Sequence, residues 1–176
     1  MPFYSEIKNK EQQFIKSQKI FFVATAPKKG RINLSPKGMD TFRVLDKDHV
    51  LWLNLTGSGN ETAAHLFDDN RITIMFCAFE GTPNILRLYG TAIAIHPKDT
   101  KWKDSISLFP EIPGARQIFD VQIESVQTSC GMAVPFYNFV DHRNQLVDSA
   151  KEKGKKKLNS IGKKEIVLVL MVFQRA

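Results

Sequence analysis

The sequence contains only two cysteines and four histidines among its 176 residues. Cys77 and Cys130 are far apart and belong to no CxxC pair, so neither a disulfide framework nor a zinc site is predicted. The histidines have neither the spacing of metal ligands nor the companions of a catalytic triad. We therefore predict a structural role for each histidine and no bound metal.

Long apolar runs are also missing, and none approaches the length that a membrane-spanning helix requires. The first residues, MPFYSEIKNKEQQF, lack the apolar core of a secretory signal peptide. Hydrophobic residues make up 43% of the chain and charged residues 24%, as in globular proteins. The sequence thus predicts a soluble cytoplasmic protein with no membrane partner.

The formal net charge of +7 is concentrated near the C-terminus. Residues 151–176 contain eight Lys or Arg and two Asp or Glu, whereas residues 1–150 contain 17 and 16. Aromatic residues do not interleave with the basic run KEKGKKKLNSIGKK, so we predict a solvated segment and no nucleic-acid partner. The predicted organisation is one domain over residues 1–154, followed by a basic and apolar C-terminal tail over residues 155–176.

Seven apolar segments bounded by turn residues are predicted to be strands. They cover residues 19–27, 31–36, 41–46, 49–55, 71–79, 84–96 and 116–129. Helices are predicted over residues 5–18, with Ser5 as the cap, and over residues 60–69, 98–108 and 138–153. Gly90 interrupts a long strand, which predicts a bulge or a close approach of another backbone. Helices do not alternate with strands, so the pattern predicts an antiparallel barrel or sandwich with peripheral helices.

The segment LNLTGSGNETAAHLFDD, residues 53–69, places a flexible loop directly before a helix. The N-terminus of a helix presents unpaired backbone N–H groups and favours anions, phosphates above all. Ser58 and Glu61 also have the spacing of a capping box, which gives a purely structural alternative. The loop lacks the lysine of a Walker motif and the spacing of a dinucleotide-binding fingerprint.

Three cations on or directly after predicted strands are candidates for binding a ligand. Lys37 in LSPKG is either a solvated lysine or a donor to a phosphate or an electron-rich ring. Arg43 and Arg87 lie between apolar residues, where an arginine requires a carboxylate or a ligand anion. For Arg43, nearby Asp40 and Asp46 offer an ion pair as the alternative.

Eight segments in series resemble the pyridoxamine 5'-phosphate oxidase-like flavoproteins, the FMN-binding split-barrel family, and especially its small bacterial members. These segments are VATAP, INLSPKG, DTFRVLD, LNLTGSGNETAAHL, RITIMFCAFEG, ILRLYGTA, GARQI and VQTSCGMAVP, and they span roughly residues 20–150. The combination of SPKG, TGSGNETAAHL and QTSCG is specific, although none of the three is specific alone.

The resemblance implies a mainly β fold with peripheral helices: a six-stranded antiparallel split β-barrel. It further implies a homodimer with one FMN in each of two clefts at the interface. The segment 129–135 would approach the flavin. Carried over position by position, the implied cofactor-binding residues are Ser35, Lys37, Asn54, Thr56, Ser58, Gly59, Asn60, Thr62 and Arg87.

The implied function is that of an FMN-dependent oxidoreductase with a small-molecule substrate that the sequence does not identify, and with no assignable catalytic residue. The alternatives are a non-catalytic FMN store or sensor, or a split barrel that uses a deazaflavin or haem. The chain lacks the Arg/His substrate motif and the WRLxP-like ending of true pyridoxamine phosphate oxidases. Oxidation of vitamin B6 is therefore not predicted.

The ending EIVLVLMVFQRA, residues 165–176, also departs from the resemblance. One choice of codons for these residues, read in another frame, encodes NSISLDGFPKS, which resembles the ending of the small bacterial members. This match predicts a frameshift in the gene. The alternative is a genuine terminal strand, because residues 166–173 have high β propensity.

Overall fold

The computed structural model describes residues 3–57 and 59–154, and all the strands in this part of the chain pair antiparallel in one sheet. The elements in chain order are β1 (Phe3–Tyr4), α1 (Asn9–Ser17), β2 (Ile20–Thr25), β3 (Asn33–Gly38), β4 (Phe42–Val44), β5 (His49–Leu55), α2 (Glu61–Asp68), β6 (Arg71–Cys77), β7 (Ile85–Ile95), α3 (Trp102–Ile106) and β8 (Ala115–Ser129). Residues 145–154 are also helical. None of the helices in the described part is long and apolar enough to span a membrane.

The strand order is β3-β2-β6-β7-β8-β5-β4, and the short β1 pairs with β8. The sheet curls into a half-barrel with a few helices around it, which confirms the predicted split-barrel fold. The seven strands predicted from the pattern are present as β2–β8, although β4 covers three residues of the predicted 41–46. The two-residue β1 was not predicted.

Aromatic side chains fill the interior of the half-barrel. Phe21 lies 5.6 Å from Phe76, and Trp52 lies 4.7 Å from Phe119, measured between ring centroids. Phe42 contacts both Phe21 and Phe76 edge to face. Such ring pairs stabilise beyond the burial of their area by about 0.5–1.5 kcal/mol each. These ring contacts join side chains of β2, β4 and β6, and of β5 and β8, across the interior of the half-barrel.

Gly90 lies at an irregularity in the pairing of β7 with β8, as the sequence predicts. A Cβ at this position would lie 2.0 Å from the backbone oxygen of Gln122. No side chain fits at that distance, so glycine is required by the close approach of the two backbones.

The helices begin later than predicted. α1 begins at Asn9 with Lys8 in the cap position, and Ser5 is not its cap. The reason is that Phe3 and Tyr4 pair with Gln127 and Val126 of β8, which holds the preceding chain extended.

Two other helices are also shorter than predicted. The predicted helix over 98–108 is reduced to α3 between turns, and the one over 138–153 begins at residue 145. Backbone contacts such as Tyr137 N–H to Phe79 O, 3.0 Å, hold the chain before it in an irregular conformation. The predicted tail over 155–176, with its frameshift hypothesis, lies outside the described residues.

Candidate functional site

A cavity of about 380 Å³ lies along the seam between β3, β5 and the start of α2. Ser35 and Lys37 of β3 are paired with Val23 and Phe21 of β2, which are buried in the core. Directly paired residues of antiparallel strands have their side chains on the same face. Ser35 and Lys37 therefore point to the inner side of the half-barrel, where they line the cavity.

The turn after β3 closes this seam. Met39 adopts a φ of 64°, which is unusual for a residue with a side chain. Thr41 follows, with its hydroxyl donating to Gly38 O at 2.9 Å and its carbonyl accepting from Leu53 N–H at 2.8 Å. These bonds attach the end of β3 to β5, although the two strands are not neighbours in the sheet.

Lys37 is a half-buried cation whose Nζ lies 5.3 Å from the ring centroid of Trp52. It forms no ion pair with any residue that the structure describes. Burial, and secondarily the nearby charge of Arg116, lower the pKa of the Lys37 ammonium from its ordinary value. Arg116 in turn donates from Nη2 to the Gly59 carbonyl at 3.0 Å. Among the described residues that line the cavity, Lys37 is thus the one Lys or Arg and Glu61 the one carboxylate, with Arg116 nearby.

A buried amide cluster forms the floor of the cavity. Asn54 of β5 is directly paired with Gln117 of β8, so their side chains lie on one face. Both donate to Asn60 Oδ1, Gln117 from Nε2 at 2.8 Å and Asn54 from Nδ2 at 3.4 Å. The three side chains are at least nine-tenths buried. Sheet register therefore positions Asn60 at the start of α2.

Three polar atoms at this seam are buried without a hydrogen-bond partner: Ser35 Oγ, Asn60 Nδ2 and Gln117 Oε1. A buried polar atom without a partner costs about 1–3 kcal/mol. Such atoms are rare in folded proteins, where a protein group, water, an ion or a ligand completes their bonding. Ser35 and Asn60 line the cavity.

The loop at residues 56–60 precedes α2, and Asn60 is the N-cap residue of that helix without a side-chain capping bond. The capping box given as the structural alternative requires Ser58 in the cap position, which Asn60 occupies instead. Ser58 itself lies outside the described residues. A Cβ at Gly57 or at Gly59 would meet nothing within 4 Å, so packing does not require glycine at either position.

The structure brings six of the nine sequence-predicted residues to the wall of the cavity: Ser35, Lys37, Asn54, Gly59, Asn60 and Thr62. Thr56 is buried beside it, and its hydroxyl donates to Gly114 O at 3.1 Å. Arg87 lies elsewhere, because Leu86 and Leu88 on either side point into the core and Arg87 points outward to Ser129, 3.1 Å from Nη1 to Oγ. Cofactor-binding roles for all nine residues stay predictions.

Arg43, the third cation considered from the sequence, forms the ion pair given as its alternative. Its Nη1 and Nη2 lie 2.5 and 2.9 Å from the two carboxylate oxygens of Asp40. Its guanidinium also stacks 4.8 Å from the centroid of Phe109. Arg43 thus has its partners within the fold.

The buried histidine of the loop-helix segment, His65, faces away from the wall of the seam. Its Nδ1 lies 3.0 Å from Thr25 Oγ1, and burial lowers the pKa of the imidazole from its ordinary value. The residues described by the structure contain no cluster of three or more His, Cys, Asp or Glu side chains that could hold a metal.

Sequence reasoning missed Arg116 and Gln117, which follow Ala115 at the start of β8. The segment GARQI was noted only as part of a resemblance. Two adjacent polar residues directly before the apolar Ile118 and Phe119 are a signal that such residues face a site. Only the pairing with Asn54, however, shows which site it is.

The antiparallel half-barrel and its polar seam define a split-barrel protein. Structural comparison agrees: a Lactobacillus delbrueckii protein described as a pyridoxamine 5'-phosphate oxidase superposes with a TM-score of 0.57. That match has 20% identity and covers 70% of this chain and 95% of the other. An FMN-binding protein from Syntrophomonas wolfei (TM-score 0.50, 12% identity, 66% and 82% covered) and a FAD-binding protein from Mesorhizobium loti (0.51, 14%, 73% and 97%) share the fold.

Sequence comparison gives the family. The family model for pyridoxamine 5'-phosphate oxidase matches residues 7–130. The pyridoxamine 5'-phosphate oxidase family protein ustO of Aspergillus flavus is 38% identical over 138 residues, 76% of this chain. The chain belongs to the pyridoxamine 5'-phosphate oxidase family. It spans 55% of the length of the Aspergillus protein.

Proposed function

We propose that the protein is an FMN-dependent oxidoreductase and that the seam cavity holds the flavin. The observation that carries this proposal is the set of unpaired groups that meet there. The cation Lys37 has no counter-ion in the described chain, and the polar atoms Ser35 Oγ and Asn60 Nδ2 are buried without partners. All three residues line the cavity, at whose edge α2 begins.

This donor set fits a flavin that carries a phosphate. An anion is favoured by the two nearby cations and by the unpaired N–H groups at the start of α2. The glycines at 57 and 59 leave the backbone of the loop open to close approach. Ser35 and the amides of Asn54 and Asn60 would suit the hydroxyls of a ribityl chain, because they offer both donors and acceptors.

Proteins of similar fold support a flavin as the ligand, and the choice between FMN and FAD is argued from the residues of the site. The two proteins of similar fold from Syntrophomonas wolfei and Mesorhizobium loti bind FMN and FAD, respectively. We favour FMN, because a terminal phosphate monoester carries more charge for the two cations than a bridging phosphate does. The family includes oxidoreductases, which supports turnover over mere storage.

The reaction would combine cofactor chemistry with positioning by the chain. Bound flavin supplies the hydride chemistry, and the protein supplies orientation and electrostatics. Lys37 and Arg116 would hold positive charge at the site, and Trp52 beneath Lys37 keeps that ammonium partly shielded from water. Positive charge of this kind favours an anionic form of the ligand.

We further propose a homodimer with a small-molecule substrate. Support comes from the segment 132–140, in which the side chains of Met132, Phe136 and Val140 are 81%, 80% and 92% exposed. Several large apolar side chains at this exposure, close together along the chain, are typical of a surface that a partner covers. The cytoplasmic location stays a prediction from the sequence.

Titration with FMN, FAD and riboflavin, followed by flavin fluorescence, tests the proposal. We expect FMN to bind roughly 10–150 times more tightly than riboflavin, since one or more charge-assisted hydrogen bonds to phosphate contribute about 1.5–3 kcal/mol. Arg116→Gln should reduce this preference, whereas Arg31→Gln on the exposed surface should not. Equal affinity for FMN and riboflavin in the unmodified protein would contradict the phosphate site.

Anaerobic addition of NADH or NADPH to the FMN-loaded protein tests turnover. Bleaching of the flavin absorbance would support the oxidoreductase. A flavin that stays bound and oxidised with both reductants would instead favour the alternative of a flavin store.

A further inference from the structure

The residue in front of α2 does not cap this helix, although asparagine is among the best residues for that role. Asn60 is the N-cap residue of α2, and its side chain makes no capping hydrogen bond. An asparagine in this position normally accepts the N–H of the second or third helical residue through its Oδ1 atom. In α2 these two residues are Thr62 and Ala63. The Asn60 oxygen is therefore engaged elsewhere.

Gln117, which follows Asn60 by 57 residues, binds that oxygen. Gln117 Nε2 donates to Asn60 Oδ1 at 2.8 Å, whereas Asn54 Nδ2 approaches the same atom only to 3.4 Å. The first distance is that of a good hydrogen bond, and the second is long for one. Gln117 is 1% exposed, and its pairing with Asn54 across β8 and β5 fixes where its side chain lies. The pairing of two strands therefore sets the orientation of the Asn60 amide.

The start of α2 is left open as a result. No hydrogen bond within the described ranges uses the backbone N–H of Glu61, Thr62 or Ala63. The first N–H groups of a helix have no acceptor inside the helix, and they favour an anion. Asn60 Nδ2 is also buried without a partner, and Asn60 and Thr62 both line the seam cavity. Backbone and side-chain donors thus lie together at one end of this cavity.

We propose that Gln117 is a positioning residue that prevents Asn60 from capping α2 and so keeps the first N–H groups of the helix available to a phosphate monoester. Without the Gln117 amide, the Asn60 side chain can rotate, and its Oδ1 can accept the N–H of Thr62 or Ala63 in competition with the ligand. Gln117 needs no contact with the ligand for this role. The identity of the ligand as FMN rests on the proposed function, whereas the open helix start rests on the residues named above.

A residue with this role is unfavourable in the ligand-free protein. Gln117 Oε1 is itself buried without a partner, and the helix that Gln117 keeps open lacks its cap. Both features destabilise the protein as long as no ligand is bound. Methionine has a similar length and no amide, so Gln117→Met should leave the Tm of the ligand-free protein unchanged or raise it. A glutamine that only joins β8 to α2 would lower the Tm when it is replaced.

The first experiment measures the affinity of Gln117→Met, Asn60→Ala and the double variant for FMN and riboflavin by flavin fluorescence. We expect Gln117→Met to raise the Kd of FMN roughly 10-fold or more, because hydrogen bonds to a charged phosphate are weakened, and that of riboflavin by about 2-fold or less. In the Asn60→Ala background the same substitution should have almost no effect, because Gln117 then acts on no side-chain oxygen.

Gln122→Met is the matched control. Gln122 lies on the same strand and donates from Nε2 to Asp48 O at 3.1 Å, away from the cavity. Its replacement removes the same amide and one hydrogen bond, so it should change neither the affinity for FMN nor the affinity for riboflavin. Circular dichroism checks that each variant is folded.

The second experiment uses no flavin. Inorganic phosphate is added to the ligand-free, ¹⁵N-labelled full-length protein, with chloride at equal ionic strength as the control, and NMR follows the backbone N–H signals of Thr62 and Ala63. We expect phosphate to shift both signals. In Gln117→Met the same shifts should require roughly 10-fold more phosphate, because the Asn60 oxygen competes for these N–H groups.

The outcomes separate this role from the flavin site. If the protein binds FMN and Gln117→Met leaves the affinity unchanged, or lowers it equally with and without Asn60→Ala, the positioning role is overturned and the flavin site stands. If phosphate shifts the Thr62 and Ala63 signals in a way that depends on Gln117, but the protein binds no FMN, the proposed function is refuted and the positioning role is retained for another phosphate monoester.

Discussion

Replacing Lys37 with methionine should stabilise the ligand-free protein and weaken its affinity for FMN. The ammonium is half-buried, lacks a counter-ion in the described chain and is close enough to Arg116 for repulsion to lower its pKa. Methionine has a similar length and no charge, so it removes both unfavourable effects. A residue that costs stability in the free protein is typical of a binding site.

The size of the first effect follows from the contacts of Lys37. The cation–π contact with Trp52 contributes about 0.5–2 kcal/mol, and a methionine sulfur near the same ring contributes about 0.3–1.5 kcal/mol, so these terms nearly cancel. Relief of desolvation then dominates. We expect a gain of about 1 kcal/mol, which raises the Tm by roughly 2–4 °C in a chain of this size.

The second effect follows from the loss of one charged donor. A hydrogen bond from a charged group contributes about 1.5–3 kcal/mol, so the Kd for FMN should rise roughly 10–150-fold. Thermal unfolding without ligand and FMN titration measure the two effects on one sample. Lys29→Met, at an exposed lysine, is the control and should change neither quantity appreciably.

The pH dependence gives an independent check. Because the pKa of Lys37 is lower in the folded than in the unfolded state, the unfolded chain binds more protons as pH rises toward the ordinary value of 10.5. The free-energy cost of keeping the Lys37 ammonium charged in the folded protein is therefore complete at neutral pH and declines in alkaline solution. The stability advantage of Lys37→Met should shrink accordingly. A less stable Lys37→Met protein with unchanged FMN affinity would refute the reasoning.

Three further predictions concern stability. Gly90→Ala should destabilise by about 1–3 kcal/mol or more in urea unfolding, since its Cβ would lie 2.0 Å from Gln122 O, whereas Gly57→Ala in open space should cost less than about 0.5 kcal/mol. Thr25→Val should cost about 1–3 kcal/mol in the same assay by removing the hydroxyl partner of His65, and an unchanged midpoint would show that this bond is dispensable. Burial lowers the pKa of His65, so the contribution of the neutral imidazole to the free energy of unfolding is complete above the ordinary pKa of 6.5 and is lost as the pH falls below it. The Tm of His65→Asn should therefore fall less than that of the unmodified protein between pH 7 and 5.

The sequence was sufficient for those features that depend on local pattern. Alternating apolar residues and turn signals predict β2 and β5–β8, and Gly90 marks its bulge because no side chain fits there. The anion-binding potential of the loop before α2 is equally local, since it arises from glycines followed directly by a helix start. The family resemblance then supplied the split barrel.

What failed in the sequence analysis were statements that depend on a distant partner. The start of α1 moved because Phe3 and Tyr4 pair with β8 more than 120 residues away. The capping-box alternative at Ser58 was not met, because Asn54 and the distant Gln117 bind Asn60 at the start of α2. Helix ends are sensitive to such contacts, because short-range preferences differ by only about 1 kcal/mol or less per residue.

Whether a candidate residue reaches the site depends on which face of the sheet its side chain lies on. By itself the sequence determined the strands, the loop and the presence of three cations, because these follow from residue type and spacing along the chain. Only the tertiary structure decided that Lys37 points into the seam and Arg87 away from it, and that Arg116 approaches from another strand. The physical reason is that a strand alternates its faces with every residue, so strand pairing and closure select which side chains meet.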